Sequence, residues 1–289
     1  MSKVLLFYKK SSYEIYCLER KGTFSAINNL TVRNKIKKFK KVHKEHYAVL
    51  EQVEAVLKKH NLSYCKCHRG QDISRKIYDM VITVGGDGTF LEAARKINKQ
   101  ILFGVNSSPA YSVGRLCVLN ISDFEKTLKG VVQKKLNVKF LHRLRLDFDD
   151  GRPSFYALND FLICHRNPAA MSRYLLTVKG VKEEQRSSGI WISTPTGSSG
   201  AIYSAGGKII PNTEKKMQYI PRELYLGSNK KYYLKGAVLG PRQKINITSL
   251  IREGKIFADG SHVSFAFSVG SNIKISLANN PIRTICTGD

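Results

Sequence analysis

Val81-Ile-Thr-Val-Gly-Gly-Asp-Gly-Thr-Phe-Leu-Glu-Ala-Ala-Arg95 changes its periodicity at a cluster of glycines. Before the cluster, Val81, Ile82 and Val84 read as a strand buried on both faces, the pattern of a parallel sheet. After it, Phe90, Leu91, Ala94 and Ile97 share one face of a helix. Thr89 and Glu92 have capping-box spacing, which predicts a helix start at about Phe90. Gly85-Gly-Asp-Gly88 then ends a strand and begins a helix. Unpaired amides and the positive end of the helix dipole gather at such a point and favour phosphate. Glycines let a bulky pyrophosphate approach the backbone. Asp87 is out of place there, because a carboxylate repels phosphate. It fits if it accepts a proton, meets a metal or bonds a ligand hydroxyl. Phosphoryl transfer to an alcohol asks for this arrangement, with a base for the hydroxyl proton and a turn that positions the phosphates. The alternative is an Asp folded back onto the amides of its own turn. The stretch is not a Walker loop, for no G-x-x-x-x-G-K-[ST] occurs, and Leu91 stands where G-x-G-x-x-G needs its third glycine.

Working outward, Val4–Tyr8 reads as a first strand. Residues 10–42 are expected to be irregular and basic, with the charge run Arg33–Lys41 as a solvated face. Tyr47, Leu50, Val53 and Leu57 recur at helical spacing and predict an amphipathic helix over 42–60. Leu62–Cys65 reads as a short strand, and Tyr78–Val84 and Ile101–Val105 as buried ones. Alternating strands and helices give an α/β domain with a Rossmann-like parallel sheet, expected over 1–120. Phe124–Val132 reads as one more helix. Beyond it a two-residue alternation takes over at Leu144, Leu146 and Phe148, with a hairpin turn at Asp149-Asp-Gly151. Further strands are expected at Tyr174–Lys179, Ile190–Ser193, Ile245–Leu250, Lys255–Ala258 and Ile273–Leu277. The second domain, 121–275, is therefore expected to be all-β. The tail, about 275–289, is a candidate to return to the first domain.

The chain has 289 residues, 42% of them apolar, enough for a sizeable core. No apolar run of membrane-spanning length occurs, and the first strand is too short for a signal peptide, so a soluble, cytoplasmic protein is expected. The 6 cysteines are scattered and suit reduced thiols. Cys65-x-Cys67-His68, with His60 nearby, departs from zinc-ligand spacing. The net charge of +26 points to an anionic partner. Nucleic acid is one class to weigh, but no RNP, helix-turn-helix or finger pattern accompanies the charge.

Gly85-Gly-Asp-Gly-Thr89 resembles the signature of the NAD kinase family and of its relatives, the diacylglycerol kinases, sphingosine kinases and phosphofructokinases. Two other stretches select the first of these. Ala157-Leu-Asn-Asp160 resembles the family's Asn-Glu/Asp pair. Arg186-Ser-Ser-Gly-Ile-Trp-Ile-Ser-Thr-Pro-Thr-Gly-Ser-Ser-Gly200, continuing to Ser204-Ala-Gly-Gly207, resembles its Thr-Pro-Thr-Gly-Ser loop. Asn159–Arg173, Arg186–Gly189 and Asp259–His262 bring the chain nearer to plant-type NADH kinases and mitochondrial NAD kinases. No transit peptide is visible. A lipid kinase sharing the glycine turn is the alternative enzyme, and a basic nucleic-acid-binding protein on a kinase-like scaffold is the alternative outside enzymes.

The resemblance implies transfer of the γ-phosphoryl of ATP, or of polyphosphate, to the adenosine-ribose 2′-hydroxyl of NAD or NADH. It makes Asp87 the proton acceptor and Gly85, Gly86 and Gly88 the phosphate turn. It places Asn159 and Asp160 on the dinucleotide, and Thr196, Ser199, Gly200 and Ser204 at the adenine end. Arg186, Arg173 and His262 become further candidates for ligand contact. It implies Mg²⁺ bound with ATP and held mainly by phosphate oxygens and water rather than protein. It also implies a homodimer or larger assembly, with no role for a membrane. The chain departs from the family pattern at Ser188, Ala201 and Val118, where an Asp, a Tyr and a Phe are common. The lost ring and carboxylate are expected to relax selection of NAD against NADH.

Overall fold

A computed structural model of the chain describes residues 3–19, 30–73, 78–227 and 230–285, leaving aside the side chains of 30–32. The chain divides into two compact units: one runs to Lys139 and resumes at Arg283, and the other spans Phe140–Ile282.

The first unit holds a sheet of β1 (Lys3–Tyr8), β2 (Ser63–His68), β3 (Met80–Gly85), β4 (Ile101–Asn106) and β5 (Val138–Leu141), joined by a C-terminal strand, Ile282–Ile285. The order is β2-β1-β3-β4, then the C-terminal strand, then β5. β1 pairs in parallel with β2 and β3, and β4 in parallel with β3 and with the C-terminal strand. Every residue of β3 is buried, which explains its unbroken apolar run.

Helix α1 (Leu30–Lys59) begins well before the expected 42, and a short π-type helix, Glu14–Glu19, precedes it. The basic run is thus helical rather than irregular. Lys and Arg are good helix formers, and their charges stay largely exposed while Leu50, Val53 and Leu57 enter the core. Helix α2 (Asp87–Lys96) also starts earlier than predicted, with Gly86 at the N-cap and no side-chain cap. The Thr89–Glu92 capping box does not form. Glu92 instead accepts the Gly70 amide (2.9 Å) and Arg69 Nε (2.9 Å), and Thr89 Oγ1 is buried without a partner. A charged pair from another loop outcompetes the local cap. Helix α3 (Ile121–Val132) packs Phe124 and Leu128 into the core that holds Phe103 and Val105. The unit therefore ends at Lys139 rather than near 120.

The second unit contains two antiparallel six-stranded sheets. Its strands are β6 (Leu144–Phe148), β7 (Phe155–Ala157), β8 (Asp160–His165), β9 (Ser172–Val178), β10 (Val181–Ser187), β11 (Gly189–Ser193), β12 (Met217–Arg222), β13 (Ala237–Leu239), β14 (Ile245–Ser249), β15 (Gly254–Ala258), β16 (Ser264–Ala266) and β17 (Asn272–Leu277). One sheet runs β10-β9-β14-β17-β6-β7 and the other β13-β12-β11-β8-β15-β16. Alternate residues of both, such as Tyr174 and Ile245 from one and Phe161 and Ile190 from the other, form a common core. β6 and β7 form the expected hairpin. The only helix among the described residues of this unit is α4 (Ala201–Ser204), and the C-terminal strand of the first unit is β18.

Candidate functional site

The first unit carries the glycine turn at the carboxyl end of β3. Gly86 accepts the Thr89 amide through its carbonyl (2.9 Å), while the amides of Asp87 and Gly88 have no partner among the described residues. These are the open donors expected of a helix start. A side chain at either of two glycines of the turn would be crowded. A Cβ on Gly86 would stand 2.8 Å from Ser112 Oγ, and one on Gly88 would stand 3.3 Å from Arg69 Nη1.

Asp87 does not fold back on its own turn. Its carboxylate accepts three backbone amides from a later loop: Arg115 (3.1 Å), Leu116 (2.8 Å) and Cys117 (3.3 Å). That loop needs Gly114, whose φ is +64° and whose Cβ would stand 2.9 Å from the Cys117 carbonyl. Asn106 braces it by donating to the Ser112 carbonyl (3.1 Å) and accepting the Ser108 amide (3.1 Å). A carboxylate offers about four lone-pair sites, so roughly one remains for a ligand hydroxyl.

The second unit carries the Asn159–Asp160 pair at the start of β8. Asp259, at the end of β15, accepts the amides of Asn159 (2.7 Å) and Leu158 (3.3 Å). The Asp259 amide donates to the Asp160 carbonyl (3.0 Å). Asp160 is 9% exposed. Burial, and then the negative charge of Asp259, push its carboxyl up to about 7. Arg143 is fully buried and donates to the Asn280 carbonyl (2.8 and 3.2 Å). Its guanidinium lies 4.8 Å from the centre of the Tyr156 ring. Burial lowers its pKa to about 10, against the opposing influence of Tyr156 and Asp259.

The Thr194–Gly200 loop lies directly on this pair. Thr194 donates its amide to the Asn159 carbonyl (2.9 Å) and its hydroxyl to that of Leu158 (2.6 Å). Any side chain at Gly197 would run into the Asn159 backbone. Thr196 donates to the Asn212 side chain (3.1 Å), and Gly200 stands at the N-cap of α4, which ends in exposed Ser204. Ser199 is half-buried beside it. The structure thus gathers Asn159, Asp160, Thr196, Ser199 and Gly200, with Ser204 one helical turn on. Arg173 and Arg186 lie instead on the other sheet, directly opposite one another on β9 and β10. His262 is exposed in the turn after β15. Among the described residues no hydrogen bond or ion pair joins these last three to the Asn159 group.

Four residues escaped the sequence reading. Asp259 holds the amides of Leu158 and Asn159 from about a hundred residues away, and its charge is felt by buried Arg143. Lys9 and Arg69 flank the glycine turn. Their signal was present: each is the residue that follows a parallel strand, and ligands gather at such carboxyl ends. Among the described residues no group of three or more His, Cys, Asp or Glu side chains is placed to hold a metal ion. The open donors of the turn suit phosphate.

Comparison with known proteins accords with this geometry. The family model described as the ATP-NAD kinase N-terminal domain matches residues 15–136. A probable NADH kinase of Oryza sativa subsp. japonica is 30% identical over 274 residues, covering 86% of this chain and 83% of its own. The NADH kinase of Arabidopsis thaliana is 31% identical over 278 residues, covering 87% and 86%. Two solved structures share the fold. An NAD kinase from Archaeoglobus fulgidus in complex with ATP aligns over 98% of this chain and 93% of its own, with a TM-score of 0.71 at 23% identity. Yeast NADH kinase complexed with NADH aligns over 99% and 84%, with a TM-score of 0.69 at 15% identity. These relatives favour a dinucleotide kinase over the lipid-kinase and nucleic-acid readings.

Proposed function

This chain belongs to the NAD kinase family, and we propose that it transfers the γ-phosphoryl group of ATP to the adenosine-ribose 2′-hydroxyl of NAD or NADH. The products are NADP or NADPH, with ADP. The 2′-oxygen forms a bond to the γ-phosphorus, the bond to the β,γ-bridging oxygen breaks, and the hydroxyl proton passes to Asp87. The Gly85–Gly88 turn receives the triphosphate on its open amides. Mg²⁺, brought by ATP, neutralises charge on the phosphates as it develops. Asn159 and Asp160 hold the dinucleotide by its hydroxyl and amide groups, and Thr196, Ser199, Gly200 and Ser204 take its adenine end. Arg186 and Arg173 offer forked donors to phosphate. His262, three residues past Asp259, is a further ligand contact.

The observation that carries this reading is Asp87 itself: a carboxylate held by three remote amides where a helix begins, beside open phosphate donors. The basic surface draws in anionic substrates at low salt. By family analogy the protein works as a homodimer or larger assembly, in the cytoplasm. The test is a kinetic comparison of NAD and NADH as acceptors with Mg²⁺, using ATP and then polyphosphate as donor. Formation of NADP or NADPH is expected. Phosphorylation of a lipid with both dinucleotides left unchanged overturns the reading.

A further inference from the structure

Two cations flank the glycine turn: Lys9, with no ion pair among the described residues, and Arg69, which meets Glu92 through Nε (2.9 Å). The parallel register sets Tyr8 opposite both His68 and Val84. Lys9, Arg69 and Gly85 therefore follow at one level across three neighbouring strand ends. Lys9 donates its amide to the Val84 carbonyl (3.3 Å), and its Cδ stands 3.5 Å from where a Gly85 Cβ would be. Arg69 Nη1 stands 3.3 Å from the corresponding point on Gly88. The two side chains lie against the glycine turn, Lys9 by Gly85 and Arg69 by Gly88.

Their surroundings differ from those of structural cations. Arg69 is aimed by Glu92 through its Nε alone (2.9 Å). Glu92 is itself fixed by the Gly70 amide (2.9 Å) and by Lys96 (3.2 Å). The outer nitrogens of the Arg69 fork have no partner among the described residues. Lys9 is half-buried and makes no ion pair among them. Burial first, and then the charge of Arg69, lower its pKa. A desolvated lysine beside a second cation is costly for the fold unless something anionic comes between them.

We propose that Lys9 and Arg69 form a clamp on the triphosphate of the donor, with Glu92 as the residue that positions Arg69; this rests on the kinase reading above. Lys9 acts as a compact charge against one phosphate, and Arg69 offers its fork to another.

The test uses the full chain and three variants, Lys9→Met, Arg69→Met and Arg69→Lys. Two quantities are read: the KM for Mg·ATP at saturating dinucleotide, and the rise in Tm caused by Mg·ATP or by inorganic tripolyphosphate. Each Met variant is expected to raise the KM for ATP about tenfold, the usual size for one charge-assisted contact, with the KM for NAD or NADH little changed. Arg69→Lys should fall between Arg69→Met and the parent. The Tm without nucleotide should hold or rise in Lys9→Met, because a buried unpaired charge is removed, while the ligand-induced rise shrinks. A Tm that falls in Lys9→Met with both KM values moving together assigns Lys9 to the fold and overturns the proposal. So does an unchanged KM for ATP. If the parent chain makes no NADP or NADPH, the kinase reading fails. The tripolyphosphate shift then still decides whether these two residues bind phosphate.

Discussion

Each unit holds one carboxylate that the proposed function uses, and the two carboxylates have opposite surroundings. Asp87 receives three amide donors from a loop braced by Asn106. Asp160 receives none among the described residues, is buried, and has the charge of Asp259 beside it. Amides that converge on a carboxylate fix where its oxygens point. Burial beside a like charge makes a carboxyl keep its proton and lets it donate as well as accept. The same residue type thus has a fixed, amide-bound carboxylate in one unit and a buried, titrating carboxyl in the other.

Removing the first acceptor gives the sharpest test. Asp87→Asn keeps the shape but places an amide where three N–H groups need acceptors. Turnover is expected to drop about two to four orders of magnitude, as for loss of a general base. Steady-state rates with circular dichroism as a fold control decide it. A nearly normal rate would show that the proton goes elsewhere, a course that the loose transition state of phosphoryl transfer allows.

The second carboxylate is broken differently, through pH. Asp160 titrates near 3.8 when unfolded and near 7 when folded. Between these values the folded state holds a proton that the unfolded state has released, so this group lowers stability as pH rises through that window. A shift of this size is worth at most about 4 kcal/mol. Asp160→Asn removes the titration and should flatten the profile. Urea midpoints at pH 5 and pH 8 measure it. The drop of the parent chain between those values should exceed that of the variant, and equal drops would show that Asp160 does not hold its proton.

How far these surroundings could be read from the sequence depends on distance along the chain. The change from helical to two-residue period, the Asp149–Gly151 hairpin and the strand before Gly85 are local patterns, and each appears where expected. What failed was decided by partners far away. The spacing makes Glu92 the reciprocal half of a cap with Thr89, but Arg69 claims it, 23 residues back. Val118 marks that loop in the sequence as a departure from the family pattern, whereas the weight of the loop lies in Gly114, which turns three amides toward Asp87. The boundary near 120 misplaced α3, because the stripe of Phe124 and Leu128 shows that a helix packs but not against which sheet.

Each carboxylate region also leans on a glycine, which allows the two to be loosened separately. Gly197→Ala drives a Cβ into the rigid backbone of Asn159 and should cost about 1–3 kcal/mol, with the KM for NAD or NADH rising. Gly114→Ala places alanine at φ +64° against the Cys117 carbonyl, for a similar cost. Its loss should appear in kcat rather than in the dinucleotide KM, since the amides that hold Asp87 move. If both variants shift the same kinetic constant, the separate roles assigned to the two glycines are wrong.

The smallest expected effect concerns the arginines that the structure leaves outside the Asn159 group. Arg173 and Arg186 stand directly opposite one another on β9 and β10. Like charges so placed repel, by about 0.5 kcal/mol at exposed positions. Among the described residues Arg186 pairs only with Glu184, at 3.8 Å, and its Nε is buried without a hydrogen bond. Arg173→Thr should therefore raise the Tm by about a degree in low salt, and the gain should fade as salt screens the pair. If the two arginines serve phosphate, the same variant should also weaken dinucleotide binding severalfold, because a ligand that relieved the repulsion no longer does so. A variant that melts earlier, with dinucleotide binding unchanged, would make Arg173 an ordinary strand residue and leave Arg186 to act alone.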